Sequence, residues 1–277
     1  MNDQVWFITG AGSGFGHALS RAVLAAGGRV AAGVRSPDTG AVATLREAGP
    51  GRVGVVKIDV RDASQVQRGV DRVADEFGRV DVVVNGAGRG SFGSVEETPD
   101  DEVRDLFEVN FFGSLNVIRA VLPVLRRQGR GHVVQLSSLA GVAPPAPGLG
   151  AYAATKFAVE GMNEVLAREV AHLGIGVTIV EPGDFATGFG RALHVTPPAL
   201  DDYLGSVGKA ADAFASTDPS LLGDPDKAAV AIIDAVRATK PPLRLVLGGD
   251  AVDAIGTSLS TRLDELRCWE EVGRGTR

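Results

Sequence analysis

Val5-Trp6-Phe7-Ile8-Thr9-Gly10-Ala11-Gly12-Ser13-Gly14-Phe15-Gly16 joins an apolar run to a glycine cluster, and helical spacing follows from Phe15 to Ala26. The run Val5–Thr9 reads as a buried strand. A glycine-rich turn between a strand and a helix lets the backbone approach a pyrophosphate. The helix N-terminus adds free N–H groups and a favourable dipole. Glycine clusters also make ordinary turns, so the position after a strand and before a helix carries the argument. The junction is read as a dinucleotide-binding turn, against a plain tight turn.

Outward from it, apolar runs alternate with helical patterns. Strands are expected at Val30–Val34, Val53–Ile58, Val80–Val84, His132–Leu136, Val177–Val180 and Leu243–Leu247. Helices are expected at Thr39–Ala48, Ala63–Phe77, Ala151–Leu173, Lys227–Ala238 and roughly Asp250–Glu271. A long helical stretch runs from about Pro99 to Arg127, with Thr98 as its N-cap and Pro99 in its first turn. Residues 183–224 read as loop with one helix in the middle. Strands separated by helices imply βαβ units and a parallel sheet. Their continuous Val/Ile/Leu character fits burial on both faces. The expected fold class is α/β, a single doubly wound domain over 1–277. It has a central parallel sheet of about seven strands, a substrate-loop insert at 188–223 and a C-terminal helix and tail at 250–277.

Composition is consistent with this. Hydrophobic residues make up 44% of 277, enough for a sizeable core, and the net charge of −6 argues against nucleic acid as a partner. No stretch approaches the roughly 18 consecutive apolar residues of a spanning helix, so no membrane association is expected. One cysteine, Cys268, allows no intrachain disulfide and fits a cytoplasmic setting. His17, His132, His172 and His194 show no metal-ligand spacing.

The glycines at 10, 14 and 16 follow Thr-Gly-x-x-x-Gly-x-Gly, which resembles the cofactor turn of the short-chain dehydrogenase/reductase family. The resemblance extends along residues 4–190. Asp59-Val60 ends the third strand, where the family holds the adenine ring. Asn85-Gly86-Ala87-Gly88 stands where the family commonly has Asn-Asn-Ala-Gly, and Gly86 is a departure that touches local sheet packing. Asn110 falls at the family's relay asparagine, Ser138 at its serine, and Tyr152 and Lys156 at its Tyr-x-x-x-Lys pair. Pro182-Gly183-Asp184-Phe185-Ala186-Thr187 stands where the family grips the nicotinamide carboxamide. Ser138 to Tyr152 is one residue longer than is usual. Placing the extra residue in Pro144-Pro145-Ala146-Pro147 keeps Ser138 as the catalytic serine, with Ser137 as runner-up.

The resemblance implies Asn110, Ser138, Tyr152 and Lys156 as catalytic residues. It implies Gly10, Ser13, Gly14, Phe15, Gly16, Asp59, Val60, Asn85, Ala87, Gly88, Tyr152, Lys156, Pro182, Gly183, Phe185 and Thr187 around the cofactor. Ser138 would hydrogen-bond the substrate oxygen, Lys156 would also hold the nicotinamide ribose, and Asn110 would support a water linking Lys156 to solvent. Residues four apart on a helix share a face, so Tyr152 and Lys156 point the same way. A free tyrosine titrates at about pH 10, and a nearby ammonium favours its phenolate, so Lys156 together with the positive charge of oxidised nicotinamide is expected to bring Tyr152 toward working pH.

An acid at the end of the second strand would take the ribose hydroxyls of NAD. Here that position is Val34, followed by Arg35, which suits a 2′-phosphate. NADP(H) is therefore the expected cofactor, with NAD(H) as the alternative and no metal. The expected reaction is hydride transfer between nicotinamide and a carbonyl or secondary alcohol, with Tyr152 as general acid/base. The mostly apolar insert, with Phe189, Leu193 and Tyr203 as contacts, suggests a non-polar small-molecule substrate. Family habit points to a homodimer or homotetramer. Two other readings compete. An NADP-sensing regulatory protein would typically lose the tyrosine or lysine, and both are present. An epimerase or dehydratase on nucleotide sugars would carry a larger C-terminal domain.

Overall fold

The computed structural model describes residues 3–276. The first crossover runs from β1 (Val5–Thr9) through helix α1 (Gly14–Ala25) to β2 (Arg29–Val34). Helix α2 (Gly40–Ala48) leads to β3 (Val53–Lys57), and α3 (Ala63–Phe77) to β4 (Val82–Asn85). A two-residue strand, β5 (Ser91–Phe92), precedes α4 (Asp100–Phe107) and α5 (Gly113–Gln128). Then come β6 (Gly131–Leu136), α6 (Gly150–Val170), β7 (Ile175–Pro182) and a second short strand, β8 (His194–Val195). The rest is α7 (Asp201–Tyr203), α8 (Lys209–Ala215), α9 (Pro225–Arg237), β9 (Arg244–Leu247), α10 (Gly249–Cys268) and α11 (Glu270–Arg274).

Seven strands form one parallel sheet in the order β3-β2-β1-β4-β6-β7-β9. The chain winds outward from β1 in one direction and then from β4 in the other. The crevice between the ends of β1 and β4 is therefore a topological switch point, where open α/β sheets bind ligands. Both faces are covered. Val70 of α3, Val121 and Leu125 of α5 and Leu166 of α6 pack on one face; Leu19 of α1, Leu45 of α2 and Ile232 of α9 pack on the other. All five residues of β1 are buried, as its continuous apolar character requires.

Asp81, an acid beside an apolar strand, is explained by its partners. Its carboxylate accepts from Val5 N at 2.9 Å and pairs with Arg79, so it ties β4 to the start of β1.

Three expectations are corrected. Thr98 is not the N-cap of the long helix. Its Oγ1 donates to Ser94 O at 2.6 Å, so Pro99 takes the cap and the helix begins at Asp100. Three acids, Asp100, Asp101 and Glu102, fill the first turn and complement the dipole. The stretch is also not one α-helix, because Glu108–Phe112 widens into a π turn between α4 and α5. Finally, residues 183–224 hold more structure than one helix: β8 pairs in parallel with β5, and α7, a second π turn at Leu204–Gly208 and α8 follow. This small sheet joins two segments about a hundred residues apart, which no local pattern announces.

The window within Asp100–Gln128 is apolar enough to resemble a spanning helix, but half of it is buried in the fold. Val117, Ile118, Val121 and Leu125 of that stretch are committed to the core.

Candidate active site

The glycine turn is shaped by close approach. Gly10 adopts φ +73°, and a Cβ there would lie 2.7 Å from Gly86 O. A Cβ on Gly16 would collide with the Gly10 carbonyl. Gly86 reciprocates, since a Cβ there would lie 2.6 Å from Thr9 O. Thr9 Oγ1 donates to Val84 O at 3.1 Å and accepts from Gly86 N at 3.1 Å, so the ends of β1 and β4 are clasped side by side. The glycine at 86 is what this clasp needs, and sheet packing closes around it.

These ends open into a groove of about 310 Å³. Gly10, Gly12 and Ser13 of the turn line it, with Val34 and Arg35 from the end of β2, Asp59 and Val60 beyond β3, and Ala87 and Gly88 beyond β4. The backbone is bare where a phosphate would approach, and the N-terminus of α1 abuts it. A dinucleotide fits this cradle. Arg35 is exposed at the groove and forms no ion pair among the described residues. Arg61, which the sequence reading passed over, also lines the groove. It grips Asp59 at 2.7 Å and holds that carboxyl below its ordinary range, chiefly through this hydrogen bond.

Asn85 is placed differently from its neighbours. Its amide donates to Gln135 Oε1 at 3.1 Å and Ser114 O at 3.3 Å in the interior, and it does not line the groove. Phe15 and Phe185, widely separated in sequence, meet with ring centroids 5.1 Å apart. Thr187 sits over Gly14. The loop after Pro182 is thus pinned to the start of α1. Asp250 pins it from the other side: its carboxylate accepts from Asp184 N at 2.8 Å and lies against Gly183. Asp250 was missed as a site residue, although an acid in the first turn of a helix was a readable signal.

Tyr152, Ser138, Lys156 and Asn110 converge beyond the groove. Ser138 caps the short turn Leu139–Gly141, its Oγ accepting from Ala140 N at 3.2 Å. The Tyr152 side chain is 7% exposed. Burial pushes its phenol up to about 12, and the Ser138 hydroxyl pulls the other way. In the protein alone desolvation of the phenolate dominates, and Ser138 is the group that opposes it. Lys156 Nζ lies 5.6 Å from the Tyr152 ring centroid and donates to Leu136 O at 3.0 Å. Its burial lowers the ammonium to about 8, and Glu160 opposes that.

Asn110 sits in the π turn, a feature frequent at functional sites. Its Oδ1 accepts from Arg89 N at 2.9 Å, and its Nδ2 donates to Arg89 O at 3.0 Å and Thr155 Oγ1 at 2.9 Å. The side chain clamps the strand exit beside Gly88 to the helix bearing Tyr152. Ser137, the runner-up serine, is buried beside Glu160.

The insert covers this constellation. Phe189 lies on Tyr152 with centroids 5.4 Å apart, and Leu193 abuts Gly90. Tyr203 is not brought there; its hydroxyl donates to Glu96 at 2.6 Å on the surface. Phe92 and Phe214, which the sequence reading did not single out, stack at 6.3 Å in the same wall.

Known proteins carry the same plan. The family model for short chain dehydrogenases matches residues 4–196. Oxidoreductase BOA17 of Botryotinia fuckeliana is 37% identical over 97% of both chains. The 3-ketodihydrosphingosine reductase of Bacteroides thetaiotaomicron is 35% identical over 90% of this chain and 89% of its own. Among solved structures, a short-chain dehydrogenase of Streptomyces avermitilis superposes with TM-score 0.91 at 43% identity, covering 100% of this chain and 99% of that one. A short-chain dehydrogenase/reductase of Burkholderia phymatum, in complex with NAD, superposes with TM-score 0.82 at 26% identity over 96% and 95%. Fold, groove and matched sequence together make this chain a member of the short-chain dehydrogenase/reductase family of oxidoreductases.

Proposed function

We propose that the chain is an NADP(H)-dependent reductase of non-polar carbonyl compounds. The observation that carries this is Tyr152, a phenol buried beside Ser138 with Lys156 one turn along the same helix. A phenol pushed up to about 12 stays protonated at neutral pH, so it is poised to donate. The dinucleotide, when bound, supplies the hydride. Ser138 holds the substrate oxygen, Tyr152 gives it a proton, and Lys156 offsets the negative charge left on Tyr152. Asn110 keeps the two walls of the site in register.

NADP(H) is favoured by Arg35, unpaired at the groove where an acid would mark NAD, with NAD(H) as the weaker ligand. The apolar wall of Phe189, Leu193, Phe92 and Phe214 favours an aliphatic or aromatic ketone. The relative named 3-ketodihydrosphingosine reductase points the same way. Leu259, Leu263, Leu266 and Trp269 of the C-terminal helix region are exposed, which favours a homo-oligomer; sedimentation of the full chain tests this against a monomer.

The test is NADPH and NADH titration, then turnover on a carbonyl panel. Tyr152→Phe should lower kcat by roughly 10²–10⁴ while leaving NADPH binding in place. Arg35→Ala should weaken NADPH far more than NADH. Equal effects on both dinucleotides would remove the NADP assignment, and Tyr152-independent turnover would remove the mechanism.

A further inference from the structure

Two carboxylates lie beneath the site with no part in the steps above. Glu160 is one turn beyond Lys156 on α6, and Glu181 is near the end of β7; they are 6% and 1% exposed. Burying a carboxylate is costly unless it is paired and hydrogen-bonded. Among the described residues, the one arginine that pairs with both is Arg244 on β9. Its Nε lies 3.5 Å from Glu160 Oε2 and 3.3 Å from Glu181 Oε1, while its Nη2 is engaged at 2.8 Å by Glu164. One N–H therefore faces two buried carboxylates. Neither Glu160 oxygen nor Glu181 Oε1 has a hydrogen bond of normal geometry among the described residues, and the Ser137 hydroxyl is the neutral donor beside Glu160. The groups facing the pair are Lys156 and Glu164 from α6, Arg244 from β9 and the Ser137 hydroxyl beyond β6.

We propose that Glu160 and Glu181 hold one proton in common at neutral pH, and that the pair is a positioning device setting the pH range over which Lys156 keeps its ammonium. Two buried carboxylates that face one Arg244 N–H cannot both ionise freely, and the titration belongs to the pair. Burial raises both carboxyls, Glu181 to about 7. As pH rises, the shared proton leaves through the half-exposed edge at Arg244. The pair then carries one more negative charge beneath Lys156, just where burial would strip that ammonium. The bearing on turnover rests on the reductase reading; the shared proton and the lysine titration do not.

The experiment uses the full chain without cofactor. Infrared spectroscopy at neutral pH should show a protonated-carboxyl C=O band that is lost in Glu181→Gln or in Glu160→Gln. Lys156 is one of five lysines, with Lys57, Lys209, Lys227 and Lys240, so its ε-carbon resonance is assignable by substitution. In Glu160→Gln its titration should fall by about one pH unit, a tenfold fall in the ratio of ammonium to amine at fixed pH. Glu160→Asp should restore part of it. In parallel, the alkaline limb of kcat/KM should move down with it. A native protein with no such band, or a Lys156 titration unmoved by Glu160→Gln, overturns the proposal. If the spectra behave as expected and no carbonyl is turned over, the reductase reading fails and the proton-sharing pair stands.

Discussion

At the scale of single residues, the site depends on burial working against charge. Tyr152 is pushed up and Lys156 is lowered, both by desolvation, so Tyr152 keeps its proton at neutral pH while Lys156 keeps its ammonium only up to about pH 8. The ammonium is the form that stabilises a tyrosinate, and it is present below about pH 8 and lost above it. kcat/KM for carbonyl reduction should therefore fall as pH rises through this range. Lys156→Arg should remove that alkaline fall, because a guanidinium stays charged up to about pH 12. A pH profile with the same alkaline limb in both proteins would assign the limb to another group. That Tyr152 and Lys156 share one helix face was legible because their spacing is local. Their ionisation was not, because burial is a property of the packed site. The expected lowering of Tyr152 rests on Lys156 and oxidised nicotinamide together, whereas in the protein alone desolvation takes it up.

At the scale of elements, the π turn at Glu108–Phe112 places Asn110. Its side chain satisfies both backbone groups of Arg89, which follows the groove-lining Gly88. Arg89 is held further by Glu102 at 2.9 Å and Asp105 at 3.1 Å from α4. Asn110→Leu should strand these partly buried backbone groups and cost roughly 1–3 kcal/mol. Thermal melts read the loss, and NADPH affinity should weaken with it. A variant as stable as the native chain would mean that Arg89 is held by its ion pairs alone. The helical pattern around Asn110 was visible in sequence, but the widened turn was not. It arises where α4, packed near α6, must be joined to α5, packed against α3. The same reason hid β5 and β8, each two residues long and stable only as partners across the molecule.

At the scale of the whole molecule, two buried groups titrate in opposition. His132 on β6 contacts Thr178 on β7 at 2.9 Å, and burial lowers its imidazole to about 4. The unfolded chain then binds more protons between about pH 6.5 and 4, so this group costs stability as pH falls, roughly 3 kcal/mol across the window. Glu181 is raised to about 7 against an ordinary 4.5, so the folded chain binds more protons there, and this group adds stability as pH falls. Glu181→Gln should unmask the histidine, making the melting temperature drop more steeply from pH 7 to 4 than in the native chain. His132→Asn should flatten it. Parallel curves for all three would show that neither group governs acid stability.

The succession of the seven main-sheet strands and the longer helices between them, the glycine turn and the Tyr-x-x-x-Lys helix were settled by sequence, since each rests on periodicity or spacing within one element. Tertiary structure alone decided that Gly86 must clasp Gly10, that Asn85 turns inward, that Asp250 braces the loop after β7, and that Glu160 and Glu181 face one arginine. Each of these contacts joins segments far apart in the chain. Their geometry and electrostatics exist only once the sheet has brought the segments together and excluded water between them.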